Sequence, residues 1–209
     1  MSFKELSSDE RKNLQIIFND LKKLFDKEEI PASELDEFLG NLQSSEVKLY
    51  ITSLRQGAKA ESALREAFFA GQSLLSRYLA SEMSPEVNTG DGFVDYKIRS
   101  DSRFVMLELK PLFEAETRDS KNGRELVKLK ANKLNWTKHK SQILKYIKTG
   151  GEFVVLTDLR DWYFFDDTAI KEDCKPFASK DFLSLEKDFV MVENFYRVIE
   201  RYKYASLGE

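Results

Sequence analysis

Glu108 and Lys110 flank Leu109 at the end of the run RFVMLELK, residues 103–110, and Asp95 lies in the preceding run FVDYKIR, residues 93–99. Both runs alternate apolar and polar residues with the period of a β-strand, and Ser100, Asp101 and Ser102 join them, which predicts a hairpin. On a strand, residues two apart leave the same face, at roughly 3.3 Å per residue. Glu108 and Lys110 therefore share a face, while Val105, Leu107 and Leu109 point into the core. Val94, Tyr96 and Ile98 form the apolar side of the first strand and leave Asp95 free to point the same way as Glu108. Two carboxylates converging beside an ammonium suit Mg²⁺, with a cation placed for a phosphate or an attacking water.

Glu-x-Lys alone carries little information, since the chain also holds Glu10/Lys12 and Glu46/Lys48. Those two fall in polar helical stretches, where a solvated surface explains them. Only Glu108/Lys110 ends an apolar strand with an acid on its neighbour. An exposed strand edge with a cross-strand salt bridge would show the same three residues.

The elements around this hairpin are read from periodicity. Ser7 and Glu10 have capping-box spacing ahead of Leu14, Ile17, Leu21 and Leu24, which recur at helical intervals. Ile30-Pro31 ends that helix, and Ser33 opens a short second one carrying Leu35, Phe38 and Leu39. A longer helical stretch over 45–80, bent near Gly57, has Leu64, Phe68, Leu75 and Leu79 on its apolar face. Pro85 and Thr-Gly-Asp-Gly at 89–92 end it. After the hairpin comes a basic, helix-prone stretch, then a helix over 136–149 stopped by Gly150-Gly151. The run FVVL at 153–156 reads as a strand covered on both faces. A turn at 159–161 leads into a strand at 162–165, and a helix over 185–204 ends the order. This order predicts an α/β fold, a central mixed β-sheet flanked by helices, with residues 1–50 as a helical extension and 51–209 as the main domain. The strand–helix–strand step from 110 to 153 is expected to be a right-handed crossover.

Composition narrows the chemistry. One cysteine, Cys174, and one histidine, His139, exclude an intrachain disulfide and an ordinary Cys/His zinc site. A metal would be held by oxygen, which favours Mg²⁺, with Mn²⁺ as the alternative. No apolar run is long enough to span a membrane and the N-terminus has no signal-peptide core, so a cytoplasmic protein is expected. The net charge is −3, yet it is unevenly spread. Arg118, Lys121, Arg124, Lys128, Lys130, Lys133, Lys138, Lys140, Lys145 and Lys148 face only Asp119 and Glu125 within 118–148, about +8 by formal count. A phosphate-binding face, with Lys128, Lys130, Lys133, Lys138, Lys140 and Lys145 as DNA contacts, is one reading; a solvated lysine-rich surface is the other. Trp136 and Trp162 are expected in packing roles, His139 on the surface, and Cys174 as an unreactive loop residue.

Gln142 and Tyr146 lie one helical turn apart in HKSQILKYI, ahead of EFVVLTD, and Glu61 lies in AKAESALREAFF upstream of the hairpin. Acid on a helix, Asp95 in GFVDY, Glu108 and Lys110 in LELK, then Gln142 and Tyr146 in QILKY: this succession resembles the PD-(D/E)XK nuclease superfamily. The likeness is greatest to the N-terminal nuclease domains of type IIG and type I restriction enzymes. It covers residues 58–167, and VVLTDLRDWYFFD at 154–166 is similar to the strand–turn–strand that follows in those enzymes. Val94 stands where the family commonly has proline, Glu66 could replace Glu61, and the segment between Lys110 and the Gln142 helix aligns poorly.

The resemblance implies a restriction-endonuclease-like core and a metal-dependent DNA nuclease. Asp95, Glu108 and the Leu109 carbonyl would hold Mg²⁺, Lys110 would orient or help deprotonate the attacking water, and Glu61 would anchor a metal-bound water or second metal. Gln142 and Tyr146 would bond the Lys110 region or the DNA backbone. It also implies DNA as substrate, recognition supplied by a methyltransferase or specificity domain or subunit, and homodimerisation for double-strand cleavage. A nuclease of repair or junction resolution, and a non-catalytic nucleic-acid-binding domain, are the competing functions.

Overall fold

A computed structural model describes residues 7–70, 73–75, 83–88, 93–100, 103–121, 123–190 and 195–206. The chain divides into two compact units. One comprises Tyr78–Lys110 and Leu134–Glu209, the other Ser2–Arg77 and Pro111–Lys133.

The first unit contains a mixed six-stranded sheet in the order β2-β3-β4-β7-β8-β9. Its strands are β2 (Met83–Asn88), β3 (Phe93–Ser100), β4 (Arg103–Leu109), β7 (Phe153–Thr157), β8 (Asp161–Phe165) and β9 (Ala178–Asp181). The hairpin read from the sequence is β3–β4, in antiparallel register from Tyr96↔Leu107 to Ser100↔Arg103. β4 pairs parallel with β7, Glu108 opposite Leu156 and Leu109 opposite Thr157, as the expected crossover requires; the other neighbouring pairs are antiparallel. Pro85 does not end a helix but sits in β2, at the sheet edge, where proline's missing N–H is tolerated. The turn expected at 89–92 lies outside the described residues.

Both faces of this sheet are covered. Val154, Leu156 and Phe165 pack with Met106 and with Ile143, Tyr146 and Ile147 of one helix, Lys140–Lys148. On the other face the rings of Phe153, Trp162 and Phe164 meet Tyr196, Phe195 and Tyr202 of the helix Phe195–Ser206. Every residue of β7 is buried, as its unbroken apolar run predicts. The expected C-terminal helix is two, Phe182–Val190 and Phe195–Ser206. Gly150, at φ +99, ends the Lys140–Lys148 helix. Gly151 lets Met106 approach: a Cβ there would lie 3.2 Å from Met106 Cγ and from the Tyr146 carbonyl.

The second unit is built from α1 (Ser8–Phe25), α2 (Leu35–Gly40), α3 (Ser45–Arg55) and α4 (Ala60–Phe68) with a three-stranded sheet, β1-β6-β5. In chain order the helices Lys140–Lys148, Phe182–Val190 and Phe195–Ser206 of the first unit are then α5, α6 and α7. The capping box at Ser7/Glu10 forms at the start of α1. The stretch read as one bent helix over 45–80 breaks into α3 and α4 around Gly57, at φ +85. The stretch read as basic and helix-prone is instead a β-hairpin, β5 (Phe113–Ser120) and β6 (Gly123–Ala131). β1 (Glu29–Pro31) pairs with β6, and the Tyr50 hydroxyl accepts from the Phe113 amide at 2.9 Å. Residues 7–50 therefore share this unit with 51–70 and with the β5–β6 hairpin.

Candidate active site at the end of strand β4

β4 ends at the point where its neighbour β7 turns away, and the two strands stay tied there by the Lys110 amide, which donates to the Thr157 carbonyl at 2.8 Å. Met106 opposes Lys97 across the β3–β4 pair. Two residues on from each, the pleat brings Glu108 and Asp95 to the same face. Both are buried, Asp95 8% exposed and Glu108 5%. Regular pairing ends at Tyr96, and the Asp95 carboxylate takes over: its Oδ2 accepts from the Leu109 amide at 2.8 Å. Asp95 is thereby fixed against the backbone of the residue between Glu108 and Lys110.

Glu108 is the centre of a network. Its Oε1 accepts from Lys110 Nζ at 2.7 Å and from Gln142 Nε2 at 2.6 Å, and its Oε2 accepts from the Tyr146 hydroxyl at 2.9 Å. Gln142 also donates to the Tyr146 oxygen at 2.9 Å. Gln142 and Tyr146 reach Glu108 because they lie one turn apart on α5, on the face that packs against the sheet. The bonds run to Glu108 rather than to Lys110. Burial first, and then the Glu108 charge, push the Tyr146 phenol well above its ordinary range, so it is a fixed donor at physiological pH.

His139, expected on the surface, is half-buried just before α5. Burial, followed by the charges of Lys110 and Lys138, holds its imidazole below the usual value. It is therefore neutral at pH 7. Glu61 belongs to the other unit, in the first turn of α4, with its Oε1 3.4 Å from Arg65 Nη2; Glu66 is exposed on the same helix.

The donor set suits a hard divalent cation: two carboxylates and the Leu109 carbonyl, with no sulfur or imidazole. Among the described residues no three His, Cys, Asp or Glu side chains gather at one point.

The six lysines expected on DNA divide between the units. Lys128, Lys130 and Lys133 belong to the second and Lys138, Lys140 and Lys145 to the first. In the β5–β6 hairpin the register sets Glu114 opposite Lys130 and Glu116 opposite Lys128. Lys128 also lies 2.7 Å from Glu29 Oε2. A count starting at 118 leaves these acids out, and with them the hairpin is close to neutral. The stretch 132–148 is different: it holds Lys133, Lys138, Lys140, Lys145 and Lys148 and no acid of its own. Lys140 is paired with Asp173 at 2.6 Å, and Lys133 and Lys138 are exposed.

Asp158 was not singled out by sequence. It follows Thr157 directly and is fully buried. Its Oδ1 accepts from the Arg160 amide at 3.0 Å and the Asp161 amide at 2.8 Å, shaping a turn in which Leu159 takes φ +76. Its Oδ2 has no hydrogen bond, the nearest cation being Arg160 Nη2 at 3.6 Å. Burial raises this carboxyl to about 6. The signal lay in Thr-Asp-Leu-Arg-Asp between two apolar runs, an Asx-turn pattern. Trp162 is buried and donates to the Leu159 carbonyl at 2.7 Å, and Trp136 stacks edge-on against Phe165. Cys174 is buried, and burial pushes its thiol up, which leaves it a poor nucleophile.

No protein-family model matches the chain, and no curated protein or solved structure does. Among the described residues no helix is long and apolar enough to cross a membrane.

Proposed function

We propose that this chain is a Mg²⁺-dependent deoxyribonuclease module that hydrolyses phosphodiester bonds in the cytoplasm, with Mn²⁺ able to replace Mg²⁺. The observation that carries the reading is the meeting of β3, β4 and α5 around Glu108. Asp95, Lys110, Gln142 and Tyr146 come from separate stretches of sequence, and each is placed by a hydrogen bond to Glu108 or to the Leu109 amide. The resemblance to PD-(D/E)XK nucleases rests on the same residues.

In this mechanism Asp95, Glu108 and the Leu109 carbonyl would hold the cation, which would supply Lewis acidity for phosphodiester hydrolysis. Lys110, 16% exposed at its side chain, holds its Nζ on Glu108 Oε1 at the strand end. It orients the attacking water and stabilises negative charge on the phosphorus centre. Gln142 and Tyr146 hold the Glu108 carboxylate in place. Lys133, Lys138 and Lys145 contribute non-specific attraction to phosphates. Sequence choice would come from a methyltransferase or specificity domain or subunit of a restriction system, and a homodimer would cut both strands.

The test is nicking of supercoiled plasmid by the purified chain with Mg²⁺ or Mn²⁺, with EDTA as control. Cleavage that needs the cation and disappears in Asp95→Asn and Glu108→Gln supports the reading. Binding without cleavage under every cation condition, including with a recognition subunit added, would point to a non-catalytic nucleic-acid-binding domain.

A further inference from the structure

Gln142, Tyr146 and Glu108 close a hydrogen-bonded ring. Gln142 Nε2 gives one N–H to Glu108 Oε1 and the other to the Tyr146 oxygen, so the Tyr146 hydroxyl proton is directed at Glu108 Oε2. The amide and the phenol thus grip both carboxylate oxygens from the α5 side. Lys110 takes a second position on Oε1. A carboxylate offers about four acceptor positions; three are taken, and the remaining one is on Oε2. A cation can reach Glu108 through Oε2 alone. Chelation by both oxygens would require Oε1 to shed Lys110 or Gln142 and the carboxylate to turn away from the Tyr146 hydroxyl, which fixes its rotation and orients the Gln142 amide.

That restriction discriminates between ions. Mg²⁺ demands a tight octahedral shell and keeps its waters, so a single carboxylate oxygen suits it. Ca²⁺ is larger, takes six to eight oxygens and gains from bidentate carboxylates. We infer that Gln142 and Tyr146 are specificity-determining positioning residues: by holding Glu108 monodentate they make the site select Mg²⁺ over Ca²⁺. The inference rests on the metal site proposed above and adds to it the basis of ion choice. Neither residue touches the cation, and both act through Glu108.

The test is calorimetric titration of the full chain with MgCl₂ and with CaCl₂, for wild type, Tyr146→Phe and Gln142→Leu. Tyr146→Phe keeps the ring that fills the core and removes only the hydroxyl. Gln142→Leu serves as the second variant because Gln142 is only half-buried. The wild type should bind Mg²⁺ more tightly than Ca²⁺. In each variant the ratio of the two dissociation constants should shift toward Ca²⁺ by about tenfold, the scale of outer-shell effects on metal sites. A role confined to stability would weaken both ions alike and leave the ratio unmoved. An unchanged ratio in both variants, with Mg²⁺ still bound, overturns the inference and leaves the nuclease reading standing. If the wild type takes up neither Mg²⁺ nor Ca²⁺, the metal site itself is refuted and the inference falls with it.

Discussion

Asp158→Asn should make the sheet unit more stable relative to wild type as the pH rises. Asp158 is fully buried, and only Oδ1 accepts hydrogen bonds. Its carboxyl sits at about 6 in the folded protein against an ordinary 3.8. A carboxyl raised by folding favours the native state while it is protonated. The contribution is complete below about pH 4 and is lost as the pH climbs through about 6. A shift of about two units at ~1.4 kcal/mol each corresponds to about 3 kcal/mol across that window. Asparagine keeps the Oδ1 acceptor and cannot ionise. Any constant cost of the amide cancels in a pH series. The assay is urea unfolding at several pH values from 4 to 8, followed by tryptophan fluorescence. Both tryptophans, Trp136 and Trp162, belong to this unit, and Trp162 is bonded to Leu159 in the Asp158 turn. The stability difference between mutant and wild type should grow by about 3 kcal/mol from the acid to the neutral end. Parallel curves would show that Asp158 ionises without cost, which would refute the argument from burial.

Phe164→Ala should destabilise the same unit by about 3–5 kcal/mol, since a fully buried ring against Phe195 and Tyr202 is lost; urea midpoints measure it. Gly151→Ala should cost about 1–3 kcal/mol, because the new methyl meets Met106 and the Tyr146 carbonyl at 3.2 Å; thermal unfolding tests it, and an unchanged midpoint means that Met106 simply moves aside. Charge reversal at Lys133 and Lys138, both exposed, should weaken DNA binding to every sequence and flatten its salt dependence. Reversal at Lys128 and Lys130, already opposed by Glu29, Glu116 and Glu114, should do less. Fluorescence anisotropy at two salt concentrations separates the pairs, and equal losses would restore a single basic stripe.

The sequence made the sheet unit legible where a periodicity had one reading. FVVL, a short unbroken apolar run, read as a strand covered on both sides, and the alternation of FVDYKIR and RFVMLELK fixed which side chains share a face. The β5–β6 hairpin was missed because its alternation is weak. Leu129 is buried, but most of the outer half is exposed on both faces, so lysine, glutamate and leucine content suggested helix. The basic stripe was overdrawn for a related reason. Charge along the chain says nothing of the acids that strand register sets opposite it. Pro85 misled because an edge strand tolerates what a helix interior does not. In the site, Asp95, Glu108 and Lys110 were readable from period two. The bonds from Gln142 and Tyr146 to Glu108 depend on the packing of α5 on the sheet, and spacing could establish only that the two share a helix face. Asp158 escaped notice because its burial arises from tertiary structure.

Under the proposed function Lys110 acts in a metal-dependent cleavage centre rather than as the partner of a structural ion pair. Single-turnover cleavage of plasmid DNA by wild type and Lys110→Ala, with saturating Mg²⁺ and with the fold checked by circular dichroism, tests it most directly. The lysine lies at a strand end and is not part of the apolar core, so its removal should leave the fold and DNA affinity nearly intact. The cleavage rate should fall by about a hundredfold or more, as expected when a charge-stabilising or water-orienting group is removed. Equal cleavage by the two proteins would contradict the account and return Lys110 to a structural role.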